Sequence, residues 1–186
     1  MDSFYTYDEL CKLGFSSLGT NVRISKKASF YGLNNISIGN NVRIDDFCVL
    51  SGNILLGNNI HIAPYCGLYA GSSGIEMQDY SGLSSRCTVY AESDDYSGYA
   101  MTNPTVPLEY RKVTSKKVII GKHALIGTGS TILPGVKVGE GVAVWSMTLV
   151  SRNLKPWSVY FGIPCKLIGI REKHLLEFLD EYERDK

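Results

Sequence analysis

Few residues in this chain are equipped to move a proton. His61, His123 and His174 are its only three histidines among 186 residues. Imidazole is the usual proton acceptor at neutral pH, so these three bound where ordinary acid–base chemistry can sit. Two adjacent carboxylates, Asp94 and Asp95, open a tyrosine-rich stretch. A carboxyl of ordinary pKa, about 4, is a weak base, but it can orient an amine or a hydroxyl. The pair can equally serve as turn formers. The cations of interest fall in two groups. Arg152, Lys155, Lys166 and Arg171 lie towards the C-terminus, with Ser151 beside the first of them, and Arg111, Lys112, Lys116 and Lys117 follow the tyrosine-rich stretch. Basic residues converging on one groove bind phosphate; scattered, they form a solvated face. Trp145, beside Ser146, is large for its surroundings, a stacking platform or the filling of a subunit seam.

What positions these groups is a repeat of six residues. Starting a hexad at each of Leu18, Ile24, Phe30, Ile38, Ile44, Leu50, Leu56, Ile62, Leu68, Met77, Leu83, Val89, Ile120, Ile126, Ile132, Val138, Val144 and Val150 gives eighteen apolar first positions without exception. With 44% hydrophobic residues overall, chance does not produce that run. The fifth position is mostly small or β-branched, with Asn34 the clear exception, and it holds Cys48, Cys66 and Cys87. A large aliphatic and a small residue in alternation suit a narrow interior, and these cysteines read as small buried hydrophobes. Glycine recurs at the second position, as Gly19, Gly39, Gly57, Gly121, Gly127 and Gly139, and is expected to supply positive φ at a sharp corner. Asn40-Asn41 and Asn58-Asn59 fit the same turn. Each hexad is therefore a short strand and a corner, and helix is excluded over this region. On this reading His61 sits at a corner facing outward, and so does His123.

The period breaks near residues 31–37 and 72–76, and at length over about 94–118. Two prolines and the aromatics of the long break mark an excursion, which in repeat proteins gathers on the binding face. Thr6 followed by Glu9 predicts a capped N-terminal helix. Leu175, Leu176, Leu179 and Tyr182 fall on one face of a C-terminal helix. Solenoids need such covers at their ends. The expected organisation is a cap over 1–17, the repeat domain over 18–170, and a helix over 171–186.

Composition limits the function classes. A net charge of +1 gives no broad basic field for nucleic acid. No apolar run approaches the ~20 residues of a membrane span, and the first residues lack a secretory pattern. Five cysteines without a C-x-x-C pair read as reduced thiols of a cytoplasmic protein.

The runs Ile38-Gly-Asn-Asn-Val-Arg, Ile120-Gly-Lys-His-Ala-Leu-Ile-Gly-Thr-Gly-Ser-Thr-Ile-Leu-Pro-Gly-Val and Tyr160-Phe-Gly-Ile-Pro-Cys-Lys resemble the hexapeptide-repeat acyltransferases. The likeness is to the galactoside, maltose and O-antigen sugar acetyltransferase branch, over about residues 18–170. The resemblance implies an all-β solenoid, a left-handed parallel β-helix of about six coils with three strands each. That hand runs against the usual crossover rule. It further implies a homotrimer with active sites between subunits and the loop at 94–118 reaching towards a neighbour. The acyl donor would be acetyl-CoA, with no metal. The acceptor would be an amino or hydroxyl group of a sugar or nucleotide-linked sugar, in O-antigen or surface polysaccharide biosynthesis.

Matched residue by residue, Thr128 and Ser146 resemble positions on the pantetheine arm. Ser151 and Arg152 resemble the pair near the nucleotide end of CoA, and Lys166 the basic position near its phosphates. The branch places its catalytic histidine just before the long loop. Here that position holds Asp94, and the histidine is absent. An amine needs less help than a hydroxyl, so the change favours an amino-sugar acceptor or a base supplied elsewhere, first of all His61. Two other readings stay open. One is a non-catalytic β-helix scaffold. The other is a metal-dependent enzyme like the gamma-class carbonic anhydrases, whose site would need more histidines than His61 and His123.

Overall fold

A computed structural model describes residues 3–184. From Ser17 to Phe161 the chain winds as a left-handed parallel β-helix, each coil stacked in parallel on the one before. The hexads set the register. On the first face, Leu18 pairs with Ile38, Ile38 with Leu56, Leu56 with Met77, Met77 with Ile120 and Ile120 with Val138. On the second, Ile24, Ile44, Ile62, Leu83, Ile126 and Val144 stack in the same way. On the third the column is Phe30, Leu50, Leu68, Val89, Ile132 and Val150. All but Leu18 and Phe30 are buried. Each such side chain contributes roughly 1.5–3 kcal/mol by leaving water. Leu18 and Phe30 belong to the first coil, where helix α1 (Tyr7–Cys11) closes the end with Leu10. Its capping box is formed: Thr6 Oγ1 accepts from the Glu9 N–H and Glu9 accepts from the Thr6 N–H at 2.7 Å.

Six complete coils are followed by a partial seventh. Leu154 bridges to Val138 and Tyr160 pairs with Val144. The period extends further than its aliphatic residues suggest because a tyrosine can fill the bottom of the core. Tyr160 is buried, and its hydroxyl accepts from the Lys155 N–H at 3.1 Å. Strand Lys166–Ile170 turns back antiparallel on Ser158–Phe161 and ends the stack. Helix α2 follows over Leu175–Arg184; the expected residues 185–186 lie outside the described chain, as do residues 1–2 of the cap.

The corner chemistry differs from the expectation. The left-handed residue is the fourth of the hexad, not the second: Asn41 has φ 55°, Asn59 56°, His123 57° and Gly135 82°. The second-position glycines serve close approach. A Cβ on Gly121 would lie 2.7 Å from the Glu140 nitrogen, and one on Gly139 2.6 Å from the Pro156 nitrogen, in the next coil. The fifth position also shifts at the two short breaks. Asn34 falls in a 3-10 turn (Leu33–Asn35) and Ser72 within the long strand Gly67–Met77, both pointing to solvent. Ile36 and Ile75 take the interior places instead, stacked on Ile54.

The long excursion leaves the helix through Glu92–Ser93 and returns through Thr114–Ser115, paired antiparallel. Glu92 Oε1 holds this root, accepting from the Ser72 N–H at 2.9 Å and the Ser115 hydroxyl at 2.8 Å. Among the described residues no helix is long and apolar enough to cross a membrane. All five cysteines are free thiols, and only Cys11 is exposed.

Candidate active site

The second face carries a cleft of about 480 Å³. Its floor is made of small residues on adjacent coils, Ala63, Gly82 and Ser84. A strand rises from coil to coil by about 4.8 Å, so removing side chains from neighbouring coils excavates a groove along the solenoid. His61 and Thr128 bound it, and Tyr80, His123 and Arg171 wall one side. Thus His61 and Thr128, far apart in sequence, share one site, and Ser84 lies between their coils.

His61 is oriented by a partner that sequence reasoning did not single out. Asp45 lies one coil above, and its Oδ2 is 2.7 Å from His61 Nε2. Its Oδ1 accepts from Arg43 Nε at 2.7 Å. The signal was in the register: Arg43 pairs with His61, and Asp45 follows Arg43 at the alternation that keeps both on the outer surface. Burial raises the Asp45 carboxyl, but the hydrogen bonds from His61 and Arg43 outweigh it and hold the group below its ordinary 3.8. A carboxylate accepts only, so Nε2 is the donor in this contact. Because the folded pKa is depressed, native Asp45 releases its proton earlier than the unfolded chain does. Its stabilisation is complete above about 4 and fades as pH falls through the folded value. Asp45→Asn should therefore narrow its gap to the native protein as pH drops below about 4, followed by thermal melting across pH 2.5–7. A gap independent of pH would mean that the ionised pair contributes nothing.

Asp94 is not in this cleft. It stands at the exit of the excursion, 31% exposed at its side chain. Oδ2 accepts from the Asn103 N–H at 3.0 Å and Oδ1 from Arg111 Nη2 at 3.1 Å. These two partners, the Asn103 N–H first, hold its carboxyl below the ordinary value. Asp95 shapes the next turn, accepting from the Tyr99 and Ala100 N–H groups. The turn-forming role of the pair is thus present, and it leaves Tyr96 and Tyr99 projecting into solvent, 95% and 90% exposed. Of the basic group after the loop, Arg111 is tied to Asp94 and Lys117 to Glu76.

The expected donor residues lie further along the second and third faces. Thr128 and Ser146 are exposed on neighbouring coils, with the Met147 N–H donating to the Thr128 carbonyl at 2.8 Å. Ser151, Arg152 and Lys166 are exposed at the last coils. Arg152 is engaged there, donating through Nη2 to the Cys165 carbonyl at 2.7 Å. Arg171 is structural: Nη1 donates to the His123 and Gly141 carbonyls at 2.8 and 3.2 Å, stapling the C-terminal segment to the helix. Trp145 is 57% exposed, tilted against Phe161 at 5.9 Å. Among the described residues no group of three or more His, Cys, Asp or Glu could hold a metal ion.

Comparison with known proteins now decides the family. Residues 117–152 match the bacterial transferase hexapeptide (six repeats) model. Over 172 residues, 91% of this chain and 89% of the other, the sequence is 48% identical to a dTDP-4-amino-4,6-dideoxy-D-glucose acyltransferase of Escherichia coli. The chain belongs to the hexapeptide-repeat acyltransferases. It is an acyltransferase with an acyl-CoA donor, and the scaffold and carbonic anhydrase alternatives fall away. Among solved structures, AntD, an N-acyltransferase from Bacillus cereus in complex with dTDP and 3-hydroxybutyryl-CoA, superimposes with a TM-score of 0.97 at 50% identity, covering 100% of this chain and 98% of that one. The S84C mutant of AntD with dTDP-4-amino-4,6-dideoxyglucose and Coenzyme A gives 0.98 at 49% identity over all of both chains. A maltose O-acetyltransferase from Clostridium difficile, 18% identical with a TM-score of 0.51, shares the fold alone.

Proposed function

We propose that this acyltransferase moves an acyl group from acyl-CoA to the 4-amino group of dTDP-4-amino-4,6-dideoxyglucose. The observation that carries the reading is whole-chain likeness, 48% identity over 91% of the sequence, to an enzyme of that name. The chemistry of the chain supports an amine. The branch histidine is replaced by Asp94, an anion at neutral pH that accepts hydrogen bonds but draws protons weakly. Structures of AntD exist with Ser84 or Asp94 replaced, and this chain carries Ser84 and Asp94 under the same numbers.

In the step proposed, the amine nitrogen bonds to the thioester carbonyl carbon. The carbon–sulfur bond breaks, and CoA leaves as its thiol. Asp94 accepts a hydrogen bond from the amine and aims its lone pair. The nitrogen must lose a proton on the way. The Nδ1 lone pair of His61, presented by Asp45, takes it and passes it to the sulfur. Ser84, on the cleft floor, donates to the carbonyl oxygen as it gains charge. Thr128 and Ser146 line the pantetheine arm, and Ser151, Arg152 and Lys166 the nucleotide end of CoA. Asp94 and the cleft are separate within one protomer, so the reading takes Asp94 from the loop of a neighbouring subunit in a homotrimer. The product fits surface polysaccharide assembly in the cytoplasm.

Thiol release from acyl-CoA tests this, with dTDP-4-amino-4,6-dideoxyglucose set beside dTDP-glucose. Release is expected with the amino sugar only, with a product heavier by one acyl group. Acetyl and 3-hydroxybutyryl donors run in parallel read the acyl preference. Equal release with dTDP-glucose, or none with the amino sugar, would overturn the reading.

A further inference from the structure

All three breaks in the period fall at one corner, between the third and first faces, on coils stacked one upon another. Tyr31, Ser51, Tyr69 and Tyr90 are in register where the chain enters this corner. Ile36, Ile54, Ile75 and Val118 are in register where it leaves. The long excursion therefore departs directly beside the short break at 72–76. Between the pairs Gly52–Gly71 and Ile54–Ile75, the earlier coil has Asn53 alone, whereas the later one has Ser72, Ser73 and Gly74. The added residues form a ledge, and the excursion is fastened to it.

Glu92 is the fastening. Its Oε1 accepts from the Ser72 N–H at 2.9 Å, the Ser72 hydroxyl at 3.2 Å and the Ser115 hydroxyl at 2.8 Å. The Ser115 hydroxyl also meets that of Ser73 at 2.6 Å. The carboxyl group rests on Gly71, where a Cβ would occupy the same space. Gly71 in turn rests on Gly52, whose added Cβ would lie 2.5 Å from the Gly71 nitrogen. Two glycines thus clear a seat for one carboxylate. The Ser72 N–H foremost holds the Glu92 carboxyl below its ordinary value, against the burial that raises it.

Core packing does not fix the excursion. Tyr96, Tyr99, Leu108 and Tyr110 are all exposed. The two strands at its root pair only through Glu92–Ser115 and Ser93–Thr114, and so short a ribbon is marginal alone. On the returning strand the Lys116 N–H and Lys117 add ties, to the Ala91 carbonyl and to Glu76. On the departing strand, the one that leads to Asp94, the side-chain tie is Glu92. Asp94 stands two residues beyond it, and its own partners, Asn103 and Arg111, belong to the excursion itself. Those bonds shape the loop without attaching it to the solenoid.

We propose that Glu92 is a positioning residue for acyl transfer: seated on Gly71 and tied to Ser72 and Ser115, it fixes the direction in which the excursion presents Asp94. The inference rests on the part given to Asp94 above and adds what aims it.

Thiol release with the amino-sugar acceptor, on the full chain, tests it, with CoA binding by each variant as the check on folding. Glu92→Ala should lower kcat about 10–100-fold, the scale of loss when a reacting group is misplaced by about 1 Å, and leave CoA binding unchanged. Glu92→Gln keeps an accepting oxygen and should recover most of the rate. In an Asp94→Ala background, Glu92→Ala should cost little more, because a group that acts through Asp94 has nothing left to aim. Native kcat in Glu92→Ala, or a loss that multiplies in full onto that of Asp94→Ala, would overturn the positioning role and leave the Asp94 reading standing. Full activity in Asp94→Ala would overturn both.

Discussion

Replacing Asp94 with alanine is expected to lower kcat/KM for the amino-sugar acceptor by about 10²–10³-fold, the usual loss when a positioned catalytic group is removed. CoA binding should persist, because the donor residues stand on coils that Asp94 does not touch. The carboxylate is held by the Asn103 N–H and Arg111, so it is aimed as well as charged. Two further variants separate the roles. Asp94→Asn retains an acceptor for one partner and loses the charge; it should keep the loop and lose most of the rate. Arg111→Lys keeps a cation and loses the planar donor, so it should act through the position of Asp94. Because both partners depress the Asp94 carboxyl, it is ionised throughout the neutral range. A pH–rate profile near neutrality should therefore keep its shape in Asp94→Asn. Steady-state kinetics read all of this. Full activity in Asp94→Ala would remove Asp94 from the mechanism.

Leu68→Ala should be the most damaging single truncation for stability, at about 3–5 kcal/mol. Leu68 is fully buried between Leu50 above and Val89 below. Its neighbours are strands hydrogen-bonded on both sides, so the backbone cannot close the cavity. In a chain of this size the melting temperature should fall by roughly 5–15 °C. Cys87→Ala, one coil further along and smaller, should cost about 1 kcal/mol. Thermal melting of the two variants side by side checks the ranking. Equal losses would mean that the interior repacks freely, contrary to its stacked register.

The register of the solenoid was legible because the period is local. An interior only one side chain wide demands an aliphatic residue every sixth position, and every stacked pair from Leu18–Ile38 to Ile132–Val150 follows from that demand. The capping box at Thr6 and Glu9 was legible for the same reason, its two members being three residues apart. Glycine was misread at the corners. Its role at Gly121 and Gly139 is to let the next coil approach, and a neighbour in space has no signature in the hexad itself. The chain's own pattern also stopped at Val150, because Tyr160 fills its interior place only once Lys155 answers its hydroxyl.

The site divides along the same line. His61, Asp94 and Thr128 could be picked out by residue type and by likeness to a family. That His61 and Thr128 share a cleft, that Asp45 presents the imidazole, and that Arg171 is a staple were decided by the winding of the coils. Residues six apart report the core they share. Residues eighteen or more apart meet only when insertions such as 94–118 have set how many residues each coil consumes, and that count belongs to the tertiary structure.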